Sequence, residues 1–172
     1  RLNRYKNFIE KDKEKCLGSY CFLWGQKQES TSTWHGMYLS NGKPTEAVDV
    51  MQYCWKGEWP EKRAPSIMQI KLNGENWKKN HVFNKDEEVS LDFSFDRNNN
   101  EILNFDFQLY PETFSTKGGG DVQKSPEKLE FIKTKQTENS LTFKVPNKKG
   151  FYRIFVFVRN EINQTSVANI PF

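Results

Sequence analysis

From residue 66 to residue 172 apolar side chains recur at every second position in short bursts, and this rhythm constrains the chain more than any other feature. In Val89-Ser90-Leu91-Asp92-Phe93-Ser94-Phe95 apolar and polar residues alternate without a break. A strand puts successive side chains on opposite faces, so such a run has one dry face and one wet one. Comparable runs lie at 67–72, 103–110, 129–134, 141–145, 151–158 and 166–170. Turn residues separate them: Asn73-Gly74, Asn98-Asn99-Asn100, Gly118-Gly119-Gly120 and Lys148-Lys149-Gly150. The run 151–158 alternates less cleanly but is rich in aromatic and β-branched residues, as a central strand should be.

Seven short strands in that span are the arithmetic of an immunoglobulin- or fibronectin-like β-sandwich over residues 61–172. The Cys-Trp-Cys pattern of antibody domains is missing, so aromatic packing must hold it, and 14 Phe supply the means.

Residues 1–60 follow another rule. Leu2, Tyr5, Phe8 and Ile9 form one apolar stripe on a charged helix. The run Ser19-Tyr20-Cys21-Phe22-Leu23-Trp24 is continuously apolar between Gly18 and Gly25, which fits a strand covered on both faces. A polar loop at 26–33 leads to Trp34-His35-Gly36. Thr45 then offers an N-cap for a helix over 46–55, with Glu46 and Asp49 in its first turn. One strand makes no sheet, so this helix-strand-loop-helix segment must dock on the sandwich or on strands preceding Arg1. Pro60 and Pro65 with charges between them predict a stiff, solvated linker.

Composition narrows the function classes. The 26 Lys and Arg face 22 Asp and Glu scattered along the chain, giving +4 with no concentrated basic face, so nucleic acid is not an expected partner. Cys16, Cys21 and Cys54 are odd in number and lack zinc-site spacing, which reads as free buried thiols. No stretch is long enough for a transmembrane helix. The chain opens at Arg1 rather than Met and reads as a processed or excised piece, its targeting signal not included.

The candidate site is the loop after the apolar run. Sugar rings offer a C–H face that stacks on indole and hydroxyls that pair with amides and carboxylates. Trp24, Gln26, Gln28, Glu29 and Trp34 provide both kinds of contact. The alternative is that the tryptophans plug the space between strand and helix. Glu29 and His35 have no second carboxylate nearby for a dyad, and His35 and His81 have no ligand-spaced companions, so no metal or other cofactor is implied. The oxygen-rich turn Asp96, Asn98, Asn99, Asn100, Glu101 is a calcium candidate or an Asx-rich hairpin turn.

The segment CLGSYCFLWGQKQESTSTWHGMYLSNGKPTEAVDVMQYCWKGEWPEKRAP resembles the closing piece of a glycoside-hydrolase (β/α)8 barrel. It is similar to the last helix, eighth strand and eighth helix of retaining glycosidases. There a tryptophan ends the eighth strand and walls a sugar subsite, and Trp24 stands at the matching place. The tail, with Tyr110-Pro111-Glu112, Gly119-Gly120-Asp121 and Gly150-Phe151-Tyr152-Arg153-Ile154-Phe155-Val156, resembles immunoglobulin-like modules that follow such barrels in secreted bacterial proteins.

The resemblance implies a secreted, periplasmic or cell-surface protein with polysaccharide or oligosaccharide and the remainder of the parent barrel as partners. It also implies a parent glycoside hydrolase whose two carboxylates, at the fourth and seventh strand ends, are not in this chain. This piece would be non-catalytic. The rival expectation is a self-sufficient glycan-binding or adhesion module, and an unpartnered strand leaves room for a homodimer.

Overall fold

The computed structural model describes residues 1–12, 14–33, 35–114 and 123–172. Trp34 and the Gly118–Gly120 turn with Asp121 lie outside them. The chain is mostly β, with two antiparallel sheets forming a sandwich. One sheet holds β1 (Ser66–Leu72), β2 (Glu88–Asp96), β5 (Ser140–Lys144) and β4 (Lys133–Gln136), hydrogen-bonded in the order β1-β2-β5-β4. The other holds β3 (Leu103–Pro111), β6 (Tyr152–Asn160) and β7 (Thr165–Pro171), in the order β3-β6-β7.

The alternation read from the sequence becomes the core. Val89, Leu91 and Phe93 of β2, with Leu141 and Phe143 of the neighbouring β5, share one core with Phe107, Leu109, Ile154, Val156 and Val158 of the other sheet. Rings do the filling in place of a disulfide. Phe93 lies 5.9 Å from both Phe105 and Phe107, within the range where tilted and edge-to-face rings attract. The hydroxyl of Tyr152 donates to the carbonyl of Lys148 and closes the turn between β5 and β6.

The fourth strand begins later than the sequence predicts. Leu129 donates its amide to Leu109, so residues 129–132 leave β3 before the chain pairs with β5 from Lys133. The apolar signal of Leu129 and Phe131 therefore belongs to a crossing between sheets. The edge strand itself, Lys133–Gln136, is wholly exposed and carries two lysines, which discourages further strand addition.

Strand β6 alternates poorly because both of its faces are covered. Ile154, Val156 and Val158 enter the sandwich, while Phe155 and Phe157 point outward and pack against Leu39 and Val167. The cover comes from the N-terminal segment. A helical turn, α1 (Leu2–Arg4), runs into a π-helical turn at Tyr5–Ile9, and a second helix, α2, spans Glu46–Lys56. Thr45 caps α2 as expected, accepting from the Ala47 amide at 3.3 Å and donating to the Met37 carbonyl at 2.9 Å. Gly57 ends it with a φ of 81°, the left-handed C-cap that glycine adopts without a Cβ clash.

Residues 60–65 are not a solvated linker. Amides from the sandwich grip the backbone carbonyls: Asn100 and Asn160 hold Arg63, at 2.9 and 3.2 Å, Gln164 holds Lys62 and Asn98 holds Ala64. From the other side Asp49 of α2 accepts the Ala64 amide at 2.7 Å. The Asn-rich turn is thus a clamp on this segment.

The apolar run 19–24 differs most from expectation. It forms no strand; its ladder is a single parallel bridge between Leu23 and Gly36. Tyr20 is 100% exposed and Phe22 76%. An apolar strand covered on both faces needs neighbours along its edges and above its plane, and the described residues supply neither. Gly36 lets the two segments meet, since a Cβ there would lie 2.9 Å from the Gly25 carbonyl oxygen.

Candidate functional site

Two surfaces carry the sequence-predicted residues, on opposite terms. The first is an aromatic platform. Trp24 is 57% exposed and stacks on Trp55 of α2, with ring centroids 6.3 Å apart and planes within 10°. Tyr38 tilts against the same indole at 5.9 Å. Helical periodicity places Trp55 on one face of α2 with Ala47, Val48, Met51 and Cys54. Its side chain instead stays outside, because Trp24 gives it a ring to stack on.

The second surface is a polar cleft of about 230 Å3 between loop 26–33 and the outward face of the three-stranded sheet. The strand register builds its floor. Gln108 sits opposite Phe155 and Tyr110 opposite Arg153, so each row across β3 and β6 ends in a polar group beside an aromatic or charged one. The Tyr110 hydroxyl donates to Gln108 Oε1 at 2.7 Å, and Gln108 Nε2 donates to Asp106 at 2.6 Å. Burial, helped by the Asp106 carboxylate, raises the Tyr110 pKa, so this hydroxyl stays a neutral donor. Arg153 forks onto both carboxylate oxygens of Glu112 at 2.8 and 3.1 Å, and Arg159 pairs with Asp106 at 3.3 Å. Among the described residues every charge lining the cleft has an opposite partner.

The loop forms the other wall. The Thr113 hydroxyl donates to the Ser30 carbonyl at 2.6 Å, and the Ser30 amide donates to the Gln123 side chain at 3.0 Å. Gln26 folds back onto the Ser32 carbonyl at 2.9 Å. Gln28 also lines the cleft. It is only 7% exposed, and neither its Nε2 nor its Oε1 has a hydrogen-bond partner among the described residues.

Of the five predicted contact residues, Gln26 and Gln28 therefore meet in the cleft, and Trp24 stands outside it on the platform. Glu29 turns to a more apolar hollow with Tyr5, Tyr20, Phe22 and Met51, where Lys27 holds its carboxylate at 2.8 Å. Trp34 is not among the described residues. No local motif ties the loop to its cleft partners: Gln108, Tyr110 and Glu112 lie some eighty residues from Gln28 in sequence, and Arg153 about 125. One signal could have pointed to them: the outward phenylalanines of β6, which imply that something covers that face.

Among the described residues no three His, Cys, Asp or Glu come together as a metal site, and no helix is long and apolar enough to cross a membrane. No protein-family model matches the chain, and no curated protein matches it.

Proposed function

We propose that this chain is the non-catalytic C-terminal portion of a secreted or surface carbohydrate-active protein, with residues 1–60 acting as a barrel end and residues 61–172 as an immunoglobulin-like accessory module. The observation that carries the reading is the exposed stacked pair Trp24–Trp55. Two indoles held flat in solvent are the complement of a sugar's C–H face, and a large exposed apolar patch marks an interaction site.

Other features support the parts. The strand orders β1-β2-β5-β4 and β3-β6-β7 match the four-plus-three arrangement of constant-type immunoglobulin sandwiches. Tyr152, at the start of the sixth strand with its hydroxyl bonded back to Lys148, matches the tyrosine corner of that fold. Retaining hydrolysis needs two carboxylates about 5–5.5 Å apart. Among the described residues each of the two hollows is lined by one carboxylate, Glu112 or Glu29, and each is tied to a cation. The missing dyad would belong to the parent barrel.

The second reading, a self-sufficient glycan-binding module, is favoured by the amide clamp and by the burial of Phe155 and Phe157 under the N-terminal segment. Native electrophoresis through gels containing β-glucan, xylan or mannan tests the shared claim. Retardation by one polymer, lost in Trp24→Ala, is the expected result; equal mobility in every gel refutes it. Light scattering separates the two readings: a monomer at all concentrations favours the self-sufficient module, and association relieved by Phe22→Ser favours a face that a parent barrel would cover.

A further inference from the structure

We infer that the cleft over β3 and β6 is a second binding site, distinct from the tryptophan platform, for one ring of a neutral, hydroxyl-rich ligand. Gln28 is the first ground. Its side-chain amide is shut away from water with both ends unpaired among the described residues, a state that costs roughly 1–3 kcal/mol per buried polar group. Such a cost is retained where the group has a partner in another state. Gln28 borders the cleft, and a change of its side-chain torsions turns the amide toward a ligand lying there.

The lining fixes the chemistry of that ligand. Arg153 is forked onto Glu112 and donates to Asn169, and Arg159 pairs with Asp106, so both cations already have a carboxylate counter-charge and the cleft favours a neutral ligand over an anion. The rest of the lining is neutral and includes the amides of Gln26 and Gln28, the hydroxyls of Ser32 and Thr33, and the side of the Tyr110 ring. Amides both donate and accept, as hydroxyls do, and the aromatic floor of Tyr110 and Phe155 takes an apolar ring face. A volume of about 230 Å3 lies just below the roughly 300–1,000 Å3 of drug-sized sites, which limits the occupant to a single ring.

The cleft demands a neutral ring bearing hydroxyls; that the ring is a sugar rests on the carbohydrate reading above. The test is a titration of the isotope-labelled full chain, followed by the NMR signals of the Gln28 side-chain NH2 and the Tyr110 and Thr113 amides. The probes are the methyl glycosides of glucose, xylose and mannose, and myo-inositol as a cyclic polyol that is not a sugar.

The expected result is a saturable shift at Gln28 with at least one glycoside. Gln28→Leu should weaken that binding about tenfold or more, the loss of one well-paired group. The same variant should melt no earlier than the parent, since it removes a buried unpaired amide. Trp24→Ala should leave the ring titration unchanged. Inositol binding without glycoside binding would support the cleft and count against the sugar reading. Absence of shifts at these signals with every probe, or equal binding by the wild type and Gln28→Leu, would overturn the inference, whatever the tryptophan platform does.

Discussion

The inner faces of the sandwich and the apolar run at 19–24 use the same kinds of side chain with opposite results. Phe107 is buried and ringed by neighbours from both sheets, whereas Phe22 is exposed with His35 as its ring contact. Hydrophobicity alone did not decide between them. Alternation gave Phe107 a strand with one face to bury and a facing sheet to bury it in. The continuous run gave Phe22 a segment that needs partners on every side. Burial therefore follows from available partners, and exposed aromatic surface is where this chain has binding capacity left over.

That contrast can be broken most severely at the core. Phe107→Ala should cost about 3–5 kcal/mol through lost transfer energy and a cavity, read as a large fall in the urea midpoint. Asn160→Ala comes next. It strips the Arg63 carbonyl, Asn100 and Gln164 of a shared donor in a buried setting, at about 1–3 kcal/mol. Limited proteolysis should then release residues 1–60 before the sandwich unfolds. Thr45→Ala removes the cap of α2 and should cost about 0.5–2 kcal/mol.

A subtler test lies at the seam between the regions. Burial raises the pKa of Glu46, which also accepts from Ser166 at 3.2 Å, and burial likewise raises Asp49. The folded chain then keeps protons that the unfolded chain has already released. Stability is full below the ordinary carboxylate range and declines as pH rises through the raised values. Denaturant midpoints between pH 4 and 7 should show that decline, and Glu46→Gln should flatten it. At the small end, Phe22→Ser should change stability by no more than about 0.5 kcal/mol, as surface substitutions do, in contrast to the core.

The sandwich was legible because its signal is local: alternation in 89–95 and the turn residues around it determine strand, face and register together. The cap at Thr45 was legible for the same reason. The fourth strand was misplaced because Leu129 and Phe131 bury themselves at a crossing, which period-two apolarity cannot tell from a strand. The proline segment read as solvated because the side-chain amides that clamp it, Asn160 and Gln164 among them, come from up to about a hundred residues away. Loop 26–33 was legible as a polar stretch, but the cleft it borders was not. Its floor depends on the pairing of Tyr110 with Arg153 and on which face of β6 is covered, and both are tertiary facts.

The central claim is that the exposed Trp24–Trp55 pair is a sugar-contact surface. Its most direct measurement is intrinsic tryptophan fluorescence of the chain titrated with β-glucan, xylan and mannan oligosaccharides, beside the Trp24→Ala variant. The account predicts a saturable change with one glycan class that disappears in the variant while the fold persists. A flat response to all three, or an identical saturable response in the variant, would contradict it.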